Sequence, residues 1–190
     1  MKLHLFLLLS LFAIVSACSS TQPQPAPGQL TFAGQQISPP GGWAFLADGV
    51  DGRRTRGVQF TRHGTGLDLV WIAISLKPGD RLVEASADSQ DGPVWDGKPT
   101  PDTLGSFLEE TLSALGYYGF SDPLTAVQVD GSWSPQTPFS VRTGRGLVYN
   151  GEFRTRIEGD RLDLALWLAE AEIYAPRVEA DASGILTQLN

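Results

Sequence analysis

Apolar residues in this chain recur with two periods, and the switch between them marks out the elements. Residues 30–37 read as a short strand, stopped at Pro39-Pro40-Gly41-Gly42, where proline and glycine disfavour its continuation. Alternation resumes at Trp43 and Phe45. Residues 56–61 and 67–76 flank Arg62-His63-Gly64-Thr65-Gly66, a five-residue connection with two glycines that reads as a hairpin loop. In the second of these strands Val70, Trp71, Ile72, Ala73 and Ile74 leave neither face polar. That predicts a central strand covered on both sides.

Between residues 102 and 116 the period becomes helical. Leu104, Phe107, Leu108, Thr111, Leu112 and Leu115 fall on one stripe, Asp102 or Thr103 offers a cap at the start, and Gly116 offers a stop. Alternation returns at residues 147–157, with Leu147, Tyr149, Gly151, Phe153, Thr155 and Ile157 on one face and Val148, Asn150, Glu152, Arg154 and Arg156 on the other. Gly159-Asp160 fits a two-residue turn, which sets Ile157 opposite Leu162, Arg156 opposite Asp163, Phe153 opposite Leu166 and Gly151 opposite Leu168. Apolar residues then meet on one face and opposite charges on the other; a slip by one residue would spoil both patterns. The charged pair reads as exposed, worth at most about 1 kcal/mol. A final helix, entered near Pro176, turns Val178, Ile185, Leu186 and Leu189 inward. The sum is one α+β domain over residues 30–190, with no internal repeat or second linker.

The start of the chain is different. Lys2 precedes an apolar run over residues 5–15 that ends in Ser16-Ala17-Cys18, the pattern of a secretory signal over residues 1–17. The run is shorter than the roughly 20 residues a spanning helix needs. Val15-Ser16-Ala17-Cys18 resembles the lipobox of bacterial lipoproteins, and the resemblance implies that Cys18 is lipidated and becomes the first residue of the mature chain. Residues 18–29, with Pro23, Pro25 and Pro27, read as an extended tether. Ser19 stands where an aspartate would favour inner-membrane retention in enteric-type sorting, which resembles an outer-membrane address. The expected location is therefore the bacterial cell envelope, lipid-anchored and facing the periplasm. Cys18 is also the single cysteine, so no disulfide forms within one molecule and the domain must be stable through its core.

A net charge of −7, with the acidic residues scattered, suits neither nucleic acid nor anionic headgroups. No nucleophile elbow, phosphate loop, His-Glu-x-x-His or Cys-x-x-Cys occurs. Beyond the signal segment His63 is the only histidine, and in a turn beside Arg62 it reads as a solvated loop residue. Zinc is disfavoured for want of ligands. Asp88, Asp91, Asp96 and Asp102 share a Gly- and Pro-rich connection that can gather oxygen ligands for calcium, but their spacing is not that of an EF-hand loop, and they read as ordinary loop acids. No metal, cofactor or catalytic residue is assigned.

Aromatic residues give the remaining candidates. Trp95, Tyr117, Tyr118, Phe120 and Trp133 fall in or beside the segments 78–103 and 116–139, which read as long connections. Trp95, Trp133, Tyr117 and Tyr118 are taken as candidate binding residues, since exposed aromatics suit recognition surfaces; the competing reading makes them core. The Ile37-Ser38-Pro39-Pro40-Gly41-Gly42-Trp43 corner, a strand pair, a mid-chain helix, a late hairpin and a terminal helix together resemble the PsbP/Mog-type domain. That resemblance implies an antiparallel β-sheet covered by α-helices on both faces, an α/β/α sandwich, and an accessory or assembly role. The expectation is a membrane-tethered, non-catalytic module that binds an envelope protein or ligand. A small-molecule or lipid pocket between sheet and helix is the alternative, and an enzyme of unmarked type the third.

Overall fold

A computed structural model describes residues 24–26, 28–46, 55–84, 91–121 and 127–189. In chain order the elements are β1 (Gln24–Pro25), β2 (Leu30–Phe32), β3 (Gln35–Ile37), β4 (Ala44–Leu46), β5 (Val58–Thr61), β6 (Asp68–Leu76), α1 (Pro101–Ala114), β7 (Tyr117–Ser121), β8 (Thr137–Thr143), β9 (Val148–Glu158), β10 (Arg161–Glu170) and α2 (Ala175–Leu186). One antiparallel sheet runs β1-β4-β5-β6-β10-β9-β8-β7, and β2 and β3 form a separate hairpin. The fold is α+β, dominated by this sheet.

The β9–β10 hairpin has the register that its side-chain pattern demands. Ile157 stands opposite Leu162, Arg156 opposite Asp163, Phe153 opposite Leu166 and Gly151 opposite Leu168. Gly151 fits a close approach of strands, because a Cβ there would lie 2.1 Å from the Trp167 carbonyl oxygen. Strand β6 is central as its continuous apolar run requires, lying between β5 and β10 with Leu69 through Ala73 buried.

Two readings change. Residues 30–37 are not one strand but the β2–β3 hairpin, Leu30 opposite Ile37. Ala33 and Gly34 both have positive φ, 48° and 83°, as a tight hairpin turn needs. Alanine seldom adopts that conformation, so its identity gave no turn signal. Residues 116–139 are not simply a long connection either: Gly116, at φ 89°, turns α1 directly into β7, and β8 begins at Thr137. Gly119 and a register shift between Tyr118 and Ser121 interrupt β7, which hides its alternation.

Successive residues of the central strands enter two separate apolar clusters. Trp71, Phe153, Leu164 and Leu166 join Leu104, Phe107, Leu108 and Leu112 of α1. Val70, Ile72, Ala165 and Trp167 join Val178, Ala182, Ile185 and Leu186 of α2. Helix α1 is capped not by Asp102 or Thr103 but by Thr100, two residues before the first of them, whose hydroxyl accepts the Thr103 N–H at 3.2 Å. Among the described residues no helix is long and apolar enough to cross a membrane.

Helix α2 has no side-chain cap; the turn before it is held by Glu170, whose carboxylate accepts the N–H groups of Glu172 at 3.1 Å and Ile173 at 2.9 Å. Those bonds, Glu172 first, hold the Glu170 carboxyl below its ordinary value of 4.5. The stabilisation is therefore complete above that value and is lost as pH falls through the lower folded one. Glu170→Gln should remove this part of the acid sensitivity, read as a flatter fall of stability in denaturant melts as the pH is taken below 4.5.

Candidate functional site

The four aromatic candidates do not come together. Trp95 is fully buried in the α1 cluster; its indole N–H donates to the Asp160 carbonyl at 2.7 Å and its ring meets Phe107 edge-on at 5.5 Å. Tyr117 is buried in the same cluster, its ring 5.1 Å from that of Tyr149. Neither presents surface to a partner, and the expectation that these two are recognition residues is corrected: at this burial they are core. Trp133 is half-buried against the α2 cluster and bridges to Arg156 across the strands. The guanidinium groups of Arg154 and Arg156 lie 5.1 and 5.2 Å from its ring centroid, so the ring is engaged within the domain. Only Tyr118 is an open aromatic surface, 51% exposed on β7. Cys18, Ser19 and Asp88 lie outside the described residues.

His63 is exposed in the β5–β6 connection, as its turn suggested, but it is tied to a buried acid. Its Nδ1 lies 2.5 Å from an oxygen of Asp68, whose side chain is fully enclosed, and its ring centroid is 5.0 Å from that of Tyr174. Asp68 also accepts from the Thr61 hydroxyl at 2.7 Å and from the backbone N–H groups of Arg62 at 2.6 Å and His63 at 3.0 Å. A buried carboxylate with that many donors fixes the β5–β6 connection, and the imidazole is one more clasp on it. Asp96 and Asp102 are exposed, and Asp96 accepts the Lys98 N–H at 2.9 Å. Among the described residues no group of three or more His, Cys, Asp or Glu is placed to hold a metal ion.

Trp95, Asp96 and Asp102 do line one open groove together, of about 360 Å³, with Val94, Phe107 and Glu110; a second, with an oriented carboxylate in its lining, lies between β8–β9 and the start of α2. It is an open groove of about 380 Å³. Pro138, Phe139 and Ser140 come from β8, Asn150, Gly151 and Glu152 from β9, Trp167 from β10, and Ala171, Ala175, Pro176 and Glu179 from the turn into α2 and its first turns. Glu152 stands opposite Pro138 on one side and Trp167 on the other. One of its oxygens, Oε2, accepts the Trp167 indole N–H at 2.9 Å and the Ser183 hydroxyl at 2.6 Å. Strand β10 and helix α2 thus orient a carboxylate of β9. The next row of the sheet carries Tyr118, Arg142 and Val148 opposite one another, all exposed.

Sequence reasoning missed this groove. Glu152 was legible as a residue of the charged strand face, but nothing along the chain tied it to Glu179. The only available signal was Glu152 opposite the otherwise apolar Trp167 in the hairpin register. Comparison of the chain with family models, with curated proteins and with solved structures finds no match.

Proposed function

We propose that this chain is a bacterial lipoprotein, anchored through Cys18 and facing the periplasm, whose α+β domain binds an envelope protein and performs no catalysis. The groove beside α2 carries the reading: an open concavity with a preset carboxylate, continued by the exposed row of Tyr118 and Val148, is a surface shaped for contact. The proposal extends to the arrangement of layers, with α1 and α2 on opposite faces of the sheet in the manner of the PsbP/Mog-type domain. Its support is the sorting of alternate strand residues between the α1 and α2 clusters. Ser19 supports an outer-membrane address. A second reading, a small molecule or lipid held between sheet and helix, is favoured by the position of the same groove between β8–β9 and α2.

Two measurements test this. Cys18→Ala should abolish fatty-acid labelling and leave the product uncleaved by the lipoprotein peptidase, and equal palmitate labelling of variant and wild type would sink the anchor. Affinity capture from crosslinked envelopes should return a defined protein partner. A small molecule carried through purification and seen by native intact-mass analysis, with no protein captured, would decide for the second reading.

A further inference from the structure

We propose that the groove between β8–β9 and α2 docks a basic side chain, arginine or lysine, presented by a protein partner; this deepens the binding reading above and rests on it. The lining contains two carboxylates, Glu152 and Glu179, and no Lys, Arg or His. Among the described residues neither carboxylate is in a salt bridge. Glu152 is already oriented, since Trp167 and Ser183 hold its Oε2, while Oε1 has no hydrogen-bond partner among the described residues. The chain's own cations farther along β9 are committed elsewhere: Arg154 donates to the Leu186 carbonyl at 3.1 Å, and Arg156 pairs with Asp163. Arg142 stands in the next row, outside the lining.

The walls suit the occupant as well as the charge does. Pro138, Ala171 and Pro176, none of them buried, give apolar surface along which the methylene stem of a basic side chain can lie while its head meets a carboxylate. A charge-assisted bond to an acceptor held in place in advance loses less side-chain freedom on forming than one to a mobile acid. The partner is a protein because the contact surface does not stop at the groove. Tyr118 and Val148 continue it, and Ile173, 51% exposed, follows Ala171, whose N–H binds the Val148 carbonyl at 2.9 Å. A small amine would leave these apolar side chains bare, whereas residues flanking a docked arginine would cover them.

The test uses the full chain and an amidated Tyr-Arg-Tyr peptide, followed by the NMR signal of the Trp167 indole N–H, which reports on Glu152 directly. The peptide should shift that signal saturably, its citrulline twin should bind about tenfold more weakly or worse, and Glu179→Gln should weaken the arginine peptide while leaving the melting temperature unchanged. An unmoved Trp167 signal, equal binding of the citrulline twin, or free arginine amide binding as tightly as the peptide would each overturn the proposal. Crosslinked capture with the Glu179→Gln chain separates it from the broader reading. A partner captured equally by variant and wild type removes the groove and leaves the binding function standing; no partner captured by either overturns the binding function and, with it, the proposal.

Discussion

Trp95→Ala is expected to cost the domain about 3–5 kcal/mol, the usual range for deleting a large buried aromatic. Trp95 has no exposed surface, its ring packs on Phe107, and its indole N–H satisfies the Asp160 carbonyl at the tip of the β9–β10 hairpin. The substitution leaves a cavity in the α1 cluster and a carbonyl without its donor, and both effects have the same sign. Tyr118→Ala gives the contrasting result: with half its surface open, its loss should change stability by no more than about 0.5 kcal/mol and act on partner capture instead. Denaturant melts of the two variants check this, and a stable Trp95→Ala chain with impaired capture would return Trp95 to the recognition surface.

Asp163→Ala should cost nearly as much, about 3 kcal/mol or more, because it strands a part-buried guanidinium. Asp163 is only 10% exposed in its side chain and Arg156 22%. One carboxylate oxygen accepts from Arg156 Nε at 2.7 Å, and the other accepts the Ser75 N–H at 2.5 Å. Ser75 sits at φ 60°, in the left-handed region that a serine adopts at a cost, and at the register irregularity where β6 meets β10. Asp163 therefore holds an ion pair, a strained backbone position and the seam between two strands. Trp133 lies over Arg156 and takes that pair further from water. A loss below about 1 kcal/mol in a melt would mean that the pair behaves as an exposed one.

That contrast locates what was readable along the chain. The pairing of Arg156 with Asp163 followed from counting residues out from Gly159-Asp160, since strand register is a one-dimensional matter once the turn is known. Its strength was not readable, because burial depends on Trp133, which arrives from before β8, and on Ser75, far away in sequence. His63 is a similar case: the hairpin loop was visible, but Asp68 as an enclosed acceptor beneath it was not.

The sequence by itself determined the elements whose signal is periodic and local: the α1 stripe, the apolar run of β6, the β9–β10 register and α2. It did so because each depends on residues within a few positions of one another or across one short turn. It did not reveal the β2–β3 turn or β7, where an alanine at positive φ and a glycine with a bulge break the rule that propensity follows. The tertiary structure alone decided which aromatics are surface, since Trp95 and Tyr118 carry equally apolar rings and only packing distinguishes them. It also alone made the groove, because Glu152 becomes an oriented carboxylate only when Trp167 from the next strand and Ser183 from α2 converge on one of its oxygens.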